Sequence, residues 1–393
     1  MQMKEINTKA KHHSTRRQIL KTIGYSAGLS SINACSGIGS SLGIQRSYIR
    51  PHSRRPFMAP RIARNKIVRV IVGLRPYRPS GFVVKLEEYD KKNIIHNYGH
   101  GGGGISLSWG SSALAVHEAA RLPVNQAAVI GSGIMGLTTA RLLQDAGWNV
   151  TIYTRDIARH SVSNVGAGQW APTSVFEEGI ATKAFEEQYK YAARISHHAY
   201  QNLIGANYGI RFVENYYLSH QLRGEAEAYY MRELPELFTS VADLAPHEHP
   251  FPVPYVKRTV TMIIEPATFL RRIRDDFLLT GGHFKIKNFT SLDEIFSLKE
   301  NAIFNCTGLG SKALFKDEEL TPVKGQLVFI PPDPSIDYLT VGGGSDVTYM
   351  FPRSGEILLG GSAQMDDWSR NPEAEVTERI IEDNKKIFDN LRI

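Results

Sequence analysis

Residues 131–136 read Gly-Ser-Gly-Ile-Met-Gly, a spacing that lets a backbone receive a pyrophosphate. The three glycines have separate tasks. Gly131 permits a tight turn, Gly133 lets a phosphate approach the main chain, and Gly136 lets a helix lie close to the preceding strand. The helix that follows offers unpaired N–H groups and the positive end of its dipole to the phosphates. At the end of the next strand stands Thr154, where many such folds carry the acid that holds a ribose. Arg155 and Asp156 follow, and Asp156 is the nearest carboxylate. Two readings of Asp156 stand, ribose ligand and solvated loop acid. The chain offers little other chemistry. Its two cysteines, Cys35 and Cys306, have no metal-ligand spacing, and no disulfide between them is expected. The groups His12/His13, His197/His198 and His247/His249 lack Cys or carboxylate partners nearby and read as solvated side chains, so no metal site is expected.

The elements that must position the glycine turn are legible from hydrophobic spacing. Ala127–Ile130 reads as a short buried strand. Leu137, Ala140 and Leu143 recur with helical spacing until Gly147, and Val150–Tyr153 is a second strand. Strand, turn, helix and strand fit within about 30 residues, the size of one βαβ unit. Further helices are expected over Thr182–Ile204, with Phe185, Tyr189, Ala192 and Leu203 inward, over Pro266–Leu279, and over about Pro372–Leu391. Strands are expected at Ile67–Val72 and Ala302–Asn305. There is no internal repeat and no apolar run of the roughly 18 residues that suggests a membrane span.

The chain has 393 residues and a net charge of +7, which is unevenly spread. Residues 1–69 hold 14 of the 46 basic residues and one of the 39 acidic ones, so that segment carries +13 and the remainder −6. The body therefore lacks the basic stripe that phosphate-backbone contact requires, and nucleic acid is not an expected partner. Ser14-Thr15-Arg16-Arg17-Gln18-Ile19-Leu20-Lys21 resembles a twin-arginine export motif, and Ile32-Asn33-Ala34-Cys35 resembles a lipobox, from which Asn33 departs. These imply an export signal over 1–35, a lipid anchor at Cys35, and a periplasmic or membrane-anchored location. Residues 36–60, rich in Ser, Gly, Pro and Arg, read as a linker.

Gly73-Leu74-Arg75-Pro76-Tyr77-Arg78-Pro79 is closely similar to the segment in which D-amino-acid oxidases carry their substrate-carboxylate arginine, which implies that role for Arg75. His96-Asn97-Tyr98-Gly99-His100-Gly101-Gly102-Gly103-Gly104-Ile105, followed by Ser106, resembles that family's flavin-contacting loop, and Gly102 joins the catalytic positions. A cluster of small residues suits close approach to a flat ring; Gly103 replaces a larger family residue and implies a wider site. Val165-Gly166-Ala167-Gly168-Gln169 resembles the segment whose N–H groups lie near flavin N5. Ser163 and Thr307, the latter within Asn305-Cys306-Thr307-Gly308, join the cofactor positions. Tyr349, in Tyr349-Met350-Phe351-Pro352, stands at a substrate-facing tyrosine, with a core aromatic as the other reading. The family's second active-site tyrosine falls on Ser345, which leaves the pocket and any lid open.

The resemblance implies an α/β fold with a Rossmann-type FAD-binding lobe (76–175 and 264–320) and a substrate lobe with a mostly antiparallel sheet (61–75, 176–263 and 321–393). It implies FAD as cofactor and hydride transfer from an amino-acid Cα. The imino acid formed is hydrolysed to a 2-oxo acid and ammonia, while dioxygen or another acceptor takes the electrons and, if dioxygen, yields hydrogen peroxide. A glycine- or sarcosine-type amine oxidase, a flavin-binding protein without turnover and an NAD-dependent dehydrogenase, for which the flavin-loop resemblance would be accidental, are the alternatives. The arginine and glycine-loop segments normally close the family's chain. Here they precede the Rossmann strand, which implies a circular permutation with the old ends joined through Val116–Gln126. Residue 393 and the 61–66 segment should then lie within roughly 20 Å, the reach of a loop of six or so residues.

Overall fold

The computed structural model describes residues 57–90, 92–155, 162–222, 228–344 and 347–392. The export and lipobox motifs, Asp156, Ser345 and Ile393 lie outside them.

From the N-terminal side, β1 (Arg69–Tyr77), β2 (Val83–Tyr89) and β3 (Lys92–Tyr98) lead through the glycine loop into α1 (Gly104–Ala119). The βαβ unit follows as β4 (Gln126–Ile130), α2 (Ile134–Asp145) and β5 (Asn149–Thr154), with α3 (Val162–Val165) and α4 (Lys183–Asn202) after it. Then come β6 (Ile210–Ser219), α5 (Tyr229–Glu233), β7 (Thr239–Leu244), β8 (Tyr255–Ile264), α6 (Pro266–Leu279), β9 (His283–Ile286), α7 (Leu292–Phe296), β10 (Ala302–Asn305) and α8 (Gly310–Phe315). The chain closes with β11 (Thr321–Ile330), β12 (Tyr338–Gly342), β13 (Tyr349–Pro352), β14 (Ile357–Gly360), β15 (Gln364–Met365) and α9 (Ala374–Asp389).

Two sheets organise these elements. In one the order is β2-β3-β10-β4-β5-β9, parallel except for the β2–β3 hairpin. Its central strands β4 and β10 read as short apolar runs because helices cover both faces. Ala127 and Val129 face one core with residues of α1, α2, α4 and α6, whereas Ala128 and Ile130 face another with residues of α7 and α8. The other sheet has nine strands, runs β1-β11-β14-β13-β12-β6-β8-β7 with β15 also on β11, and is antiparallel except where β6 meets β12. Its β11 alternates in the same way. Val328 and Ile330 pack with Ile380, Ile381, Ile387 and Phe388 of α9, and Leu327 and Phe329 pack on the opposite face.

The helix expected over 182–204 forms as α4, where Thr182 caps the Phe185 N–H at 3.2 Å. The 266–279 helix and the 302–305 strand have the expected bounds. Helix α1 was not legible. It is buried on most sides, through Leu107, Ser108, Ser111, Ser112, Ala115 and Ala119, so its sequence shows no amphipathic stripe.

Two expectations are corrected. Residues 57–60 are not free linker: the Phe57 ring packs edge-on against Tyr216, Phe251 and Tyr338 at 5.1–5.5 Å. Nor are all the paired histidines solvated. His249 is buried, with Arg392 donating to its carbonyl at 3.2 Å, and the His197 ring packs on Trp170. Arg392 and Trp170 lie well away from them along the chain, so sequence spacing does not reveal these contacts.

Candidate active site

The carboxyl ends of β3, β4, β5 and β10 open onto a cleft of about 1540 Å³ that continues to the face of β1 and β11. Pockets for a single small ligand are roughly 300–1000 Å³, so this one has room for a dinucleotide and a further substrate. Gly131 turns the chain at φ +111°, and a Cβ there would lie 2.5 Å from the Cys306 carbonyl. A Cβ on Gly136 would collide with the Gly131 carbonyl; this glycine serves packing and does not line the cleft. At Gly133 a Cβ would meet only Ser163 Oγ, at 3.3 Å, leaving the main chain open to the cleft. Ser163 Oγ also accepts the Ile134 N–H at 3.0 Å, so it sits at the first turn of α2. Thr154 is buried and its hydroxyl is 2.8 Å from that of Ser132, which ties the glycine turn to the end of β5. Exposed Arg155 lines the cleft beside it.

Thr307 reaches the cleft because β10 lies between β3 and β4. Its hydroxyl and N–H both donate to Asn305 Oδ1, at 2.7 and 3.2 Å. The Asn305 amide is held in turn by His96 Nδ1 at 3.0 Å, and His96 Nε2 by Glu87 at 3.2 Å.

In the glycine loop the residue sizes have more than one cause. The Gly102 N–H donates to the Ser174 carbonyl at 2.8 Å. A Cβ on Gly101 would strike that carbonyl, and one on Gly103 would strike the Val175 side chain. Gly103 does not line the cleft, so its lack of a side chain admits the 172–175 segment and does not widen the site. Gly104 does face the cleft, and a Cβ there would find nothing nearer than Met135 Cε at 3.8 Å. With Ile105 and Ser106 it forms the first turn of α1, so the first turns of α1 and α2 both border the cavity.

Ala167, Gly168 and Gln169 line the opposite wall. Gly168 accepts the Ile264 N–H at 2.7 Å, and Gln169 Nε2 donates to the Tyr217 hydroxyl at 3.2 Å. Arg353, which the sequence reading missed, is buried behind this segment and donates to the Gly166 and Ala167 carbonyls, the latter at 3.0 Å.

At the far end Arg75 and Tyr349 face the same space. The Arg75 guanidinium lies over Gly325, where a Cβ would be 2.6 Å from Nη2, and Nη1 donates to the Ser362 carbonyl at 3.1 Å. Tyr349 is buried, lies over Gly360 and stacks on Phe351 with ring centroids 4.8 Å apart. Burial raises the pKa of its hydroxyl, with Arg75 and Arg353 drawing it back down. Among the described residues no carboxylate pairs with Arg75. Arg78, three positions on, is the reverse case: it pairs with Asp317 at 2.9 Å and Glu319 at 2.6 Å.

Residues 126–393 match the DAO family, described as FAD dependent oxidoreductase. The chain belongs to this family. It is 31% identical over 261 residues to the D-amino-acid oxidase of Streptomyces coelicolor, covering 64% of this chain and 74% of that one. To the D-amino acid oxidase of Dugesia ryukyuensis it is 27% identical, over 67% and 78% of the two chains. A solved glycine oxidase from Geobacillus kaustophilus shares the fold, with a TM-score of 0.51 at 14% identity over 68% and 79% of the chains. The chain is thus an FAD-dependent oxidoreductase, and the residues fit that cofactor. The open main chain at Gly133, the Thr307 turn and the two helix first turns suit a pyrophosphate, and the Gly104 and 167–169 walls suit a flat ring.

Proposed function

We propose that this family member oxidises amino acids of D configuration to 2-oxo acids and ammonia, with dioxygen as electron acceptor. The observation that carries the reading is Arg75, a guanidinium that faces the cleft and that no carboxylate pairs with among the described residues. A planar fork of that kind binds a carboxylate through two parallel hydrogen bonds. Bound FAD supplies the two-electron acceptor; the protein's share is orientation. Arg75 holds the α-carboxylate, and Tyr349 closes one side of the substrate, its hydroxyl kept neutral by burial. Phe351 and Leu358 are buried in the same apolar cluster as Tyr349 and keep water out of that floor. Fixing the carboxylate and one flank aims the Cα–H in a single direction, which is what a near-attack geometry requires.

Anaerobic mixing of the purified yellow protein with D- and L-amino acids, glycine and sarcosine tests this. D-amino acids should bleach the flavin. Bleaching by glycine or sarcosine alone moves the chain to the amine-oxidase reading, and bleaching by none leaves a binding protein.

The chain order is part of the same reading: the family's usual sequence is circularly permuted, so that β1 to α1 precede the Rossmann strand instead of following α9. Two observations support it. The family match begins at Gln126, the first residue of β4. Ile62 and Ile67 also share a core with Phe388 and Leu391. Export through Arg16-Arg17, with a lipid on Cys35, is proposed on the sequence motifs alone.

A further inference from the structure

The substrate end of the cleft has a second built wall. β11 runs between β1 and β15 with Arg75 opposite Val323 opposite Met365, and Leu74 opposite Lys324 opposite Gln364. Side chains alternate across a sheet, and Arg75, Val323 and Met365 all line the cleft. Lys324 points the other way and is only 1% exposed. From there its ammonium holds Asp367 at 2.8 Å and also Glu373. Gln326 fastens the same segment, its Nε2 donating to the Glu373 carbonyl at 2.9 Å and its Oε1 accepting the Glu373 N–H at 2.7 Å. Asp367 Oδ1 accepts the Ser369 N–H at 2.7 Å, and the Asp366 N–H donates to Pro322 at 2.9 Å. The loop between β15 and α9 is therefore pinned at both feet. It presents Trp368, half exposed, and Arg370 to the cleft.

The charges on this loop are unequal in their freedom. Of its three acids, Asp367 and Glu373 are both taken by Lys324, and the third, exposed Asp366, does not line the cleft. Among the described residues no carboxylate pairs with Arg370. Glu177, the acid that lines the cleft among the described residues, lies beside Tyr77 and the Pro79 carbonyl, where its N–H donates at 2.8 Å. Arg75 is the guanidinium assigned above to the α-carboxylate, and Arg370 is a second one on the cleft, carried by the loop that leaves β15 across β11 from Arg75.

We propose that Trp368 and Arg370 form the side-chain subsite, and that Arg370 selects amino acids with a second carboxylate, the D-aspartate and D-glutamate class. The proposal rests on the amino-acid oxidase reading. Trp368 covers the methylene stem while the Arg370 fork takes the distal carboxylate, a pairing stronger than a neutral hydrogen bond. A rigid rim lowers the ordering cost of that contact.

Two measurements on the FAD-loaded protein test it. In oxidation assays, Arg370→Gln should lower kcat/KM for D-glutamate about tenfold and that for D-alanine less than about threefold, while Arg370→Glu should move preference toward D-lysine. By calorimetry, glutarate and succinate should bind more tightly than propionate to the wild type, and Arg370→Gln should erase the difference. Equal losses on D-alanine and D-glutamate, or wild-type preference for neutral or cationic substrates, would overturn the subsite while leaving the oxidase reading intact. Arg370-dependent dicarboxylate binding without flavin bleaching by any D-amino acid would do the reverse.

Discussion

Arg64 and Glu378 form an ion pair of 2.5 Å although 314 positions separate them. Both are exposed, and such a pair contributes on the order of 0–1 kcal/mol, so its interest is its location. Phe57 packs on the Phe251 ring, and Arg392 donates to the Phe251 carbonyl at 2.9 Å. The two ends of the described chain thus meet at one residue. Six residues, 120–125, join α1 to β4. A permuted chain that begins at Gln126, links residue 393 to residue 61 through about six added residues, and ends at Asn125 should fold and bind FAD. Its amino-acid oxidation should stay within several-fold of the original. A chain that is insoluble or flavin-free, when the original order expresses normally, would count against the permutation.

Export depends on residues outside the described structure, and its prediction is correspondingly simple. Replacing Arg16 and Arg17 by Lys should leave uncleaved precursor in the cytoplasm, as read by fractionation. Unchanged export would retire the twin-arginine proposal. Intact mass of the exported protein separately reports a lipid on Cys35.

What the sequence made legible was local. Gly131 and Gly136 declare their turn because one needs a positive φ and the other meets the Gly131 carbonyl five residues back, and α2 and α6 show one apolar stripe each. What it hid depends on distant partners. Gly101 and Gly103 read as room for a ring, whereas their size admits Ser174 and Val175, about 70 positions away. Arg353, Lys324 and Arg370 carry no motif of their own. Their roles come from the Gly166 carbonyl, from Asp367 and Glu373, and from the cleft. Arg75 and Arg78 look alike in one short motif, yet among the described residues only Arg78 is paired with acids.

His100 gives the stability a pH dependence of known sign. Its ring is buried, stacks on Phe82 at 4.5 Å, and burial pushes its pKa down to about 3. Unfolded, a histidine titrates near 6.5. Below that pH the unfolded chain takes up a proton that the folded one refuses, so stability is full above about 6.5 and falls as pH drops toward 3. By pH 5 the loss from this residue is about 2 kcal/mol. His96, also lowered by burial and partly restored by Glu87, adds in the same direction. Urea midpoints of the FAD-loaded protein at pH 7.5 and 5 should show the drop, and His100→Gln should reduce it. An equal drop in that variant would assign the slope to other groups.

The two motif arginines should fail in different ways when removed. Among the described residues Arg75 has no carboxylate partner to lose, and its removal leaves Tyr349, Gly325 and the FAD-facing walls in place. Arg75→Leu should therefore keep flavin content and unfolding midpoint near wild type. Substrate oxidation should suffer instead, because stripping one partner from a buried charge pair costs about 3–5 kcal/mol, roughly a hundredfold or more in kcat/KM. Arg78 is the structural twin. It joins Asp317 and Glu319 to the turn after β1, donating also to Ser80 Oγ at 3.1 Å and the Gly81 carbonyl at 2.8 Å. Arg78→Leu leaves both acids without their cation and should lower folding stability by about 3 kcal/mol, with kcat/KM per flavin-loaded molecule changing far less. Thermal unfolding, flavin absorbance and steady-state kinetics on both variants separate the cases. If Arg75→Leu unfolds early with normal kinetics, Arg75 is a structural arginine and the carboxylate is gripped elsewhere.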